Sequence, residues 1–275
     1  MHEKLFHRGN YPLHILADFG LTEQMIYDLP DFVHDTLENG GKSPLLPISI
    51  QQPFGETHLY AKFSLVETEH GMDVLFYPKL KNMDLDQFTA SEKDLLLVGK
   101  VIVADVNEGN QEETRRIKAF VQIDKDTNDV VYTPTQVIGR NLAAIAGEYD
   151  IDGDQLQKFW NGDLVTVTES NEQGNEEPVT IGVDLFSDKG VVVVPGSAEH
   201  WERTVRKTMP QYSFGNDGCW VNRNGNLRYV PEDEFTQELW DVLQLNAKKN
   251  DIPSIPMHHE TEEEYEQEQT RQLTR

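Results

Sequence analysis

The stretch Thr89-Ala-Ser-Glu92 through Leu95-Leu-Leu97 and Gly99 to Pro134 decides the fold, because it contains a complete structural unit with its own start and stop. Thr89 and Glu92 stand at capping-box spacing, where a hydroxyl caps an early helical N–H and the carboxylate reaches back. The helix they open carries Leu95, Leu96 and Leu97 and stops at Gly99, a residue that tolerates left-handed backbone. Val101 to Ala104 reads as a strand. Ile117, Ala119, Val121 and Ile123 then alternate with Lys118, Phe120, Gln122 and Asp124, the period of a half-buried strand. A polar turn from Asp124 to Asp129 leads to Val130-Val-Tyr132, and Pro134 closes the unit.

The same order recurs on both sides. Upstream, Thr22 caps a short helix with Met25 and Ile26, and a second helix from Asp31 places Phe32, Val33 and Leu37 inward before Asn39-Gly40-Gly41. Pro44 and Pro47 bracket an extended or edge segment. Leu59, Ala61, Phe63 and Leu65 alternate, a turn holds Gly71, and Val74 to Tyr77 returns to Pro78. Gly40 and Gly99 lie 59 residues apart, and Pro78 and Pro134 lie 56 apart. Downstream, Asp152 and Gln155 form a second capping pair with Ile151 as a staple on Leu156. Phe159 and Trp160 precede Gly162, the strand Leu164 to Val167 follows, Val179, Ile181, Val183 and Leu185 alternate, and Val191 to Val194 ends at Pro195.

An α+β fold is therefore expected, with about three repeated helix-glycine-strand-hairpin units and antiparallel sheets. The units divide as residues 1–83, 84–146 and 147–198. Residues 199–246 form a small aromatic and basic sheet plus a helix that begins at Pro231-Glu-Asp-Glu-Phe235 and carries Leu239, Val242 and Leu243. Residues 247–275 lack apolar periodicity and are expected to be a disordered acidic tail.

Bulk properties narrow the function. The 275 residues carry a net charge of -24, and the mean hydropathy is -0.57. Residues 247–275 hold seven acids and four bases, so -3 belongs to them and -21 to residues 1–246. Nucleic acid and anionic lipid are repelled at long range by such a body. Cys219 is the only cysteine, which rules out an internal disulfide and a thiolate cluster. Met1 to Arg8 lacks the apolar core of a secretion signal, and no apolar run is long enough to span a bilayer, so a cytoplasmic chain without membrane partners is expected.

Local motifs yield to structural explanations. Gly41-Lys42-Ser43 has Thr36 where a phosphate loop needs glycine, and Pro44 follows where a helix should start. Asp150, Asp152 and Asp154 begin like a calcium loop, but glycine falls at position four and Asn161 at twelve, so helix capping accounts for them. Cys219 with His200 lacks a motif that would pair them, and His258-His259-Glu260 lacks a partner set. No catalytic residue, metal site or cofactor is expected.

The segment Glu199 to Arg228 runs against the charge of the chain. Arg203, Arg206, Lys207, Arg223 and Arg228 outnumber Glu199, Glu202 and Asp217 by two, with Trp201, Tyr212, Phe214 and Trp220 interleaved. Trp201, Arg203, Arg206, Lys207, Trp220, Arg223 and Arg228 are the candidate contact residues, since rings stack on bases or peptides while arginine meets phosphate or carboxylate. The competing reading makes the rings a small core and pairs the bases with neighbouring acids.

Gly20-Leu21-Thr22, Leu29-Pro30, Asn39-Gly40 and Lys42-Ser43-Pro44-Leu45-Leu46-Pro47 resemble the opening of an uncharacterised domain family of bacterial mobile-element proteins. Phe88 to Gly99, Lys118-Ala-Phe-Val-Gln122 and Ile138-Gly139-Arg140-Asn141-Leu142 resemble a second domain of unknown function that occurs beside it. The resemblance covers residues 15–195, and such proteins are sometimes joined to primase-like or topoisomerase-like modules. It implies an accessory place near DNA processing and transfers no catalytic residue. The expected function is a non-catalytic binding or adaptor protein of a mobile element, with a protein partner. The alternatives are a nucleic-acid-binding accessory that uses residues 199–230, or an acidic mimic of nucleic acid that occupies a basic protein partner.

Overall fold

The computed structural model describes residues 4–109, 114–146, 149–170 and 176–249. The described chain begins with a 3-10 turn, Arg8–Asn10, and the helices α1 (Leu13–Asp18), α2 (Glu23–Tyr27) and α3 (Asp31–Glu38). Strands β1 (Leu46–Gln52), β2 (Gly55–Thr68) and β3 (Gly71–Pro78) complete the first unit. The second is α4 (Ala90–Leu97) with β4 (Ile102–Gly109), β5 (Thr114–Asp124) and β6 (Asp129–Pro134). Helix α5 (Thr135–Ala146) leads to the third, α6 (Gly153–Trp160) with β7 (Val165–Ser170), β8 (Glu176–Val183) and β9 (Val191–Pro195). Last come α7 (Ala198–Val205), β10 (Tyr212–Phe214), β11 (Gly218–Arg223), β12 (Asn226–Pro231), a second 3-10 turn (Glu232–Glu234) and α8 (Gln237–Lys249).

The fold is α+β, with each set of three strands forming its own sheet in sequence order. The strand pairs with resolved register are all antiparallel, as short hairpin connections require. The repeat is visible residue by residue. Helices α3, α4 and α6 each span eight residues, with N-caps at Pro30, Thr89 and Asp152. Their inward residues Leu37, Leu96 and Phe159 are buried, and the following glycines Gly40, Gly99 and Gly162 have positive φ. In the sheets, Ala61 lies opposite Leu46 and Pro78, Ala119 opposite Ala104 and Pro134, and Val179 opposite Val167 and Pro195. The final proline sits at the end of an edge strand, where a missing N–H interrupts no ladder.

Both capping boxes form as their spacing predicts, Thr89 with Glu92 and Asp152 with Gln155. Thr22 Oγ1 caps α2 by accepting from Met25 N. Other expectations shift. The last helix starts at Gln237 and not at Pro231: Glu232–Glu234 is a 3-10 turn and Phe235 is extended. Thr236 Oγ1 accepts from Leu239 N, and the Phe235 ring meets Trp240 edge-on at 5.3 Å, so the cap and staple sit five residues later. That helix runs to Lys249, three residues into the expected tail, and residues 250–275 lie outside the described residues.

Two compact units result, Met1–Tyr229 and Val230–Arg275. Within the first, the cores cross the sequence boundaries. Val101 and Phe120 of the second repeat are buried with Phe159, Val165 and Ile181 of the third. Met209, Trp220 and Leu227 are buried with Leu16, Ile26, Leu37 and Phe63 at the other end of the sequence. The C-terminal sheet thus shares the core of the first repeat.

Gly162 shows how tight the helix-to-sheet joint is. Its φ is +80°, and a Cβ there would lie 2.2 Å from the Val101 carbonyl oxygen. Gly153, the first residue of α6, has open space around it. Gly162→Ala is expected to cost about 3 kcal/mol, combining left-handed strain with a backbone clash. Gly153→Ala is expected to be neutral or slightly stabilising. Thermal unfolding of the two variants checks this, and equal midpoints would contradict it.

Candidate functional site

The basic-aromatic segment is divided by the fold. Trp201, on α7, is 1 % exposed, and its Nε1 donates to the Val192 carbonyl at 3.0 Å. Its ring also lies against Gly182, where a Cβ would come within 2.8 Å of it. Trp220, on β11, is 0 % exposed; its Nε1 donates to the Met25 carbonyl at 2.9 Å, and Tyr229 meets its ring edge-on at 5.3 Å. Neither ring presents a face to a base or a peptide, because both fill cores. The cations have other surroundings. Arg203 is exposed and lies 3.8 Å from Glu199 one turn earlier. Arg206 and Lys125 both approach the Cβ position of Gly99, at the C-terminal end of α4, where the helix dipole favours positive charge. Lys207 Nζ stands 6.0 Å from the centre of the Phe32 ring. Arg223 and Arg228 are exposed at either side of the β11–β12 turn.

Two buried carboxylates hold this region and the neighbouring repeats in place. Asp28, just after α2, accepts from Asn216 N at 2.6 Å, from Asp217 N at 3.1 Å and from the Tyr229 hydroxyl at 2.6 Å. A Cβ on Gly215 would lie 2.1 Å from the Asp28 carboxyl carbon, so only glycine lets the β10–β11 turn close over it. Burial, and then the bond to Asp28, push the Tyr229 hydroxyl well above its ordinary pKa. The second node joins the first and second repeats. Lys62 Nζ reaches Asp124 Oδ1 at 2.9 Å and Asp126 Oδ2 at 2.8 Å. Burial alone would push the Lys62 pKa down, but the two carboxylates hold it above the usual lysine range. Gln122 continues the chain of contacts by donating to Asp184 at 3.2 Å and accepting from Leu185 N at 2.8 Å. Burial raises the Asp184 pKa.

Cys219 is fully buried, and burial pushes its thiol up to about 11, which keeps it protonated. Asp152 is occupied as the cap of α6. Among the described residues no group of three His, Cys, Asp or Glu side chains is placed to hold a metal ion. His258, His259 and Glu260 lie outside the described residues. No helix among the described residues is long and apolar enough to cross a membrane.

The exposed groups that stand out are apolar. Phe54 is fully exposed at the tip of the β1–β2 hairpin, in the two-residue loop that follows the Gln52–Gly55 pair. On α4, Leu96 is buried while Leu95 and Leu97 are exposed, as is Val98 at its C-cap. Sequence reasoning missed both features. Leu95-Leu96-Leu97 looks like core, since adjacent leucines on a helix carry no label for which one points inward. The aromatic in Pro53-Phe54-Gly55 was the available signal for the hairpin tip. Comparison with family models, curated proteins and solved structures finds no match.

Two predictions follow from the buried ionisable groups. Lys62→Met takes the cation from the buried Asp124 carboxylate, leaving its Oδ1 the Asp126 and Thr127 N–H groups and its Oδ2 no donor among the described residues, and is expected to cost about 3 kcal/mol. Adding Asp124→Leu should recover much of that loss; urea unfolding of both variants measures it, and a double variant no better than the single one would contradict it. His34 is buried with Tyr11 O–H 3.4 Å from its Nδ1. Burial and then the nearby Arg8 lower its pKa, while the Tyr27 backbone, Glu38 and Asp31 oppose the shift. The unfolded chain therefore binds the proton more readily. Stability is expected to be full above about pH 6.5 and to fall as pH drops from there through the lowered folded pKa. His34→Phe should flatten the pH dependence in that window; an unchanged slope would contradict the assignment.

Proposed function

We propose that the chain is a non-catalytic binding or adaptor protein that serves a bacterial mobile element in the cytoplasm and acts on a protein partner. The observation that carries this reading is the set of large apolar side chains left in water, Phe54 at a hairpin tip, Leu95 and Leu97 on α4 and Val98 at its C-cap. Burying such side chains against a partner would remove apolar area from water. The charge of -24 then selects among partners, attracting basic surfaces and repelling acidic ones. The link to a mobile element rests on the resemblance of residues 15–195 alone.

A second reading, occupation of a basic protein in the manner of nucleic acid, is supported by the -21 carried by residues 1–246. Direct nucleic-acid binding through residues 199–230 draws less support, since the two tryptophans that would stack are in cores.

Affinity capture at physiological salt with the wild-type chain and with a Phe54→Ser, Leu97→Ser variant separates these readings. A partner retained by wild type and lost by the variant is expected for the adaptor. Retention unaffected by the variant but lost at high salt would favour the mimic. Turnover of a defined substrate by the purified chain, with no partner retained, would contradict both.

A further inference from the structure

Glu38, near the end of α3, sets the first repeat apart from the other two. Aligned on Gly40, Gly99 and Gly162, its place is taken by Leu97 in the second repeat and by Trp160 in the third, so the repeat architecture does not call for a carboxylate there. Glu38 is 4 % exposed, and among the described residues its side-chain partners all come from residues 4–8. Lys4 Nζ pairs with Glu38 Oε2, Arg8 N donates to Glu38 Oε1 at 3.0 Å, and Arg8 Nε stands 3.9 Å from that same oxygen. Phe6 N donates to the Glu38 carbonyl at 3.0 Å. The two cations also meet acids one and two turns earlier on α3: Lys4 Nζ lies 3.1 Å from Asp35 Oδ1, and Arg8 Nη1 lies 3.2 Å from Asp31 Oδ1. Lys4 to Arg8 thus carries two cations and no acid in a chain of net charge -24.

Charge, more than apolar burial, holds this segment down. None of residues 4–10 is buried. Leu5 is largely exposed, and Phe6 packs half-buried on the core. The chain first enters the core at Tyr11, whose ring stacks on His34 with centroids 5.9 Å apart. Gly9, between the strap and that anchor, has open space around it. A segment held in this way opens without unfolding what lies behind it, because local opening costs little where few apolar groups are buried. The Lys4 and Arg8 side chains are 42 % and 37 % exposed, so water and salt reach their ion pairs.

We propose that residues 4–8 are an autoinhibitory strap: they occupy, on α3, the site at which a basic segment of a partner protein binds, and that segment displaces them. What fills the site now defines what it takes. One cation meets Glu38 and Asp35, an apolar side chain two residues on packs half-buried, and a second cation four residues after the first meets Asp31 and Glu38. The buried Glu38 carboxylate makes charge-assisted bonds, which are stronger than neutral ones. The negative body attracts a basic segment and repels an acidic one. The inference rests on the adaptor reading and adds to it a surface that is closed until a partner arrives.

The test uses the full, nitrogen-15-labelled chain, titrated with the heptapeptide Lys-Leu-Phe-His-Arg-Gly-Asn, the sequence of residues 4–10. In the wild type the attached strap competes at high effective concentration, so the site is free in only a small fraction of molecules. Lys4→Ser with Arg8→Ser loosens the strap through two side chains that reach solvent. The peptide is expected to bind that variant about tenfold more tightly than the wild type and to shift the amides of α3. Adding Glu38→Gln is expected to weaken the binding about tenfold. A second measurement needs no variant: in the wild type alone, the Phe6 and Arg8 amides are expected to exchange with deuterium at least about 100-fold faster than the Phe63 amide in β2. No binding to the loosened variant, equal affinity for it and the wild type, indifference to Glu38→Gln, or strap amides as protected as that of Phe63 would each overturn the inference. Each of these results leaves the adaptor reading standing, since that reading is decided by the capture experiment with Phe54→Ser, Leu97→Ser.

Discussion

A sheet of three strands is stable in water only when its apolar face is covered, and that constraint governs the first compact unit. Each of the three principal sheets solves it with an eight-residue helix whose inward residue, Leu37, Leu96 or Phe159, is buried. The left-handed glycine that follows turns the chain from helix to first strand in the space of a few residues. Because one helix covers only part of a sheet, neighbouring repeats must share the remainder. Phe120 is therefore packed with Phe159 and Trp160 of the next repeat, and Trp220 with residues some two hundred positions earlier.

Sharing cores places polar strand ends next to one another, and these need partners. Lys62 between Asp124 and Asp126, Gln122 against Asp184, and Asp28 under the backbone of Asn216 and Asp217 supply them. Such contacts fix which repeat faces which, because a buried charge tolerates only the arrangement that pairs it. The same scheme accounts for the exposed residues. Where an accessory segment reaches a helix, as Lys4 to Arg8 or α5 does, it meets Glu38 of α3 or Trp160 of α6. Where the connection is short, as before α4, apolar groups remain in water.

Features set by local chemistry were legible in the sequence. Caps at Thr22, Thr89 and Asp152, stops at Gly40, Gly99 and Gly162, and hairpins ending at Pro78, Pro134 and Pro195 depend on neighbours a few residues away. Features set by distant neighbours were not. Helix α5 is masked by Gly139, a weak helix former that is present because the Trp160 ring needs the space. Trp201 and Trp220 look like contact rings beside arginines, and only the sheets they lie under show that they are core. Asp28 reads as a helix-end acid, since nothing near it announces the turn at Gly215 that closes over it.

Hydroxyl-radical footprinting of the native chain tests this division between shared core and open helix end most directly. Phe54 and the Leu95–Val98 segment are expected to oxidise at rates close to those of the unfolded chain, while Phe159, Trp201 and Trp220 are strongly protected. Rapid oxidation of the two tryptophans together with protection of Leu97 and Val98 would contradict the account.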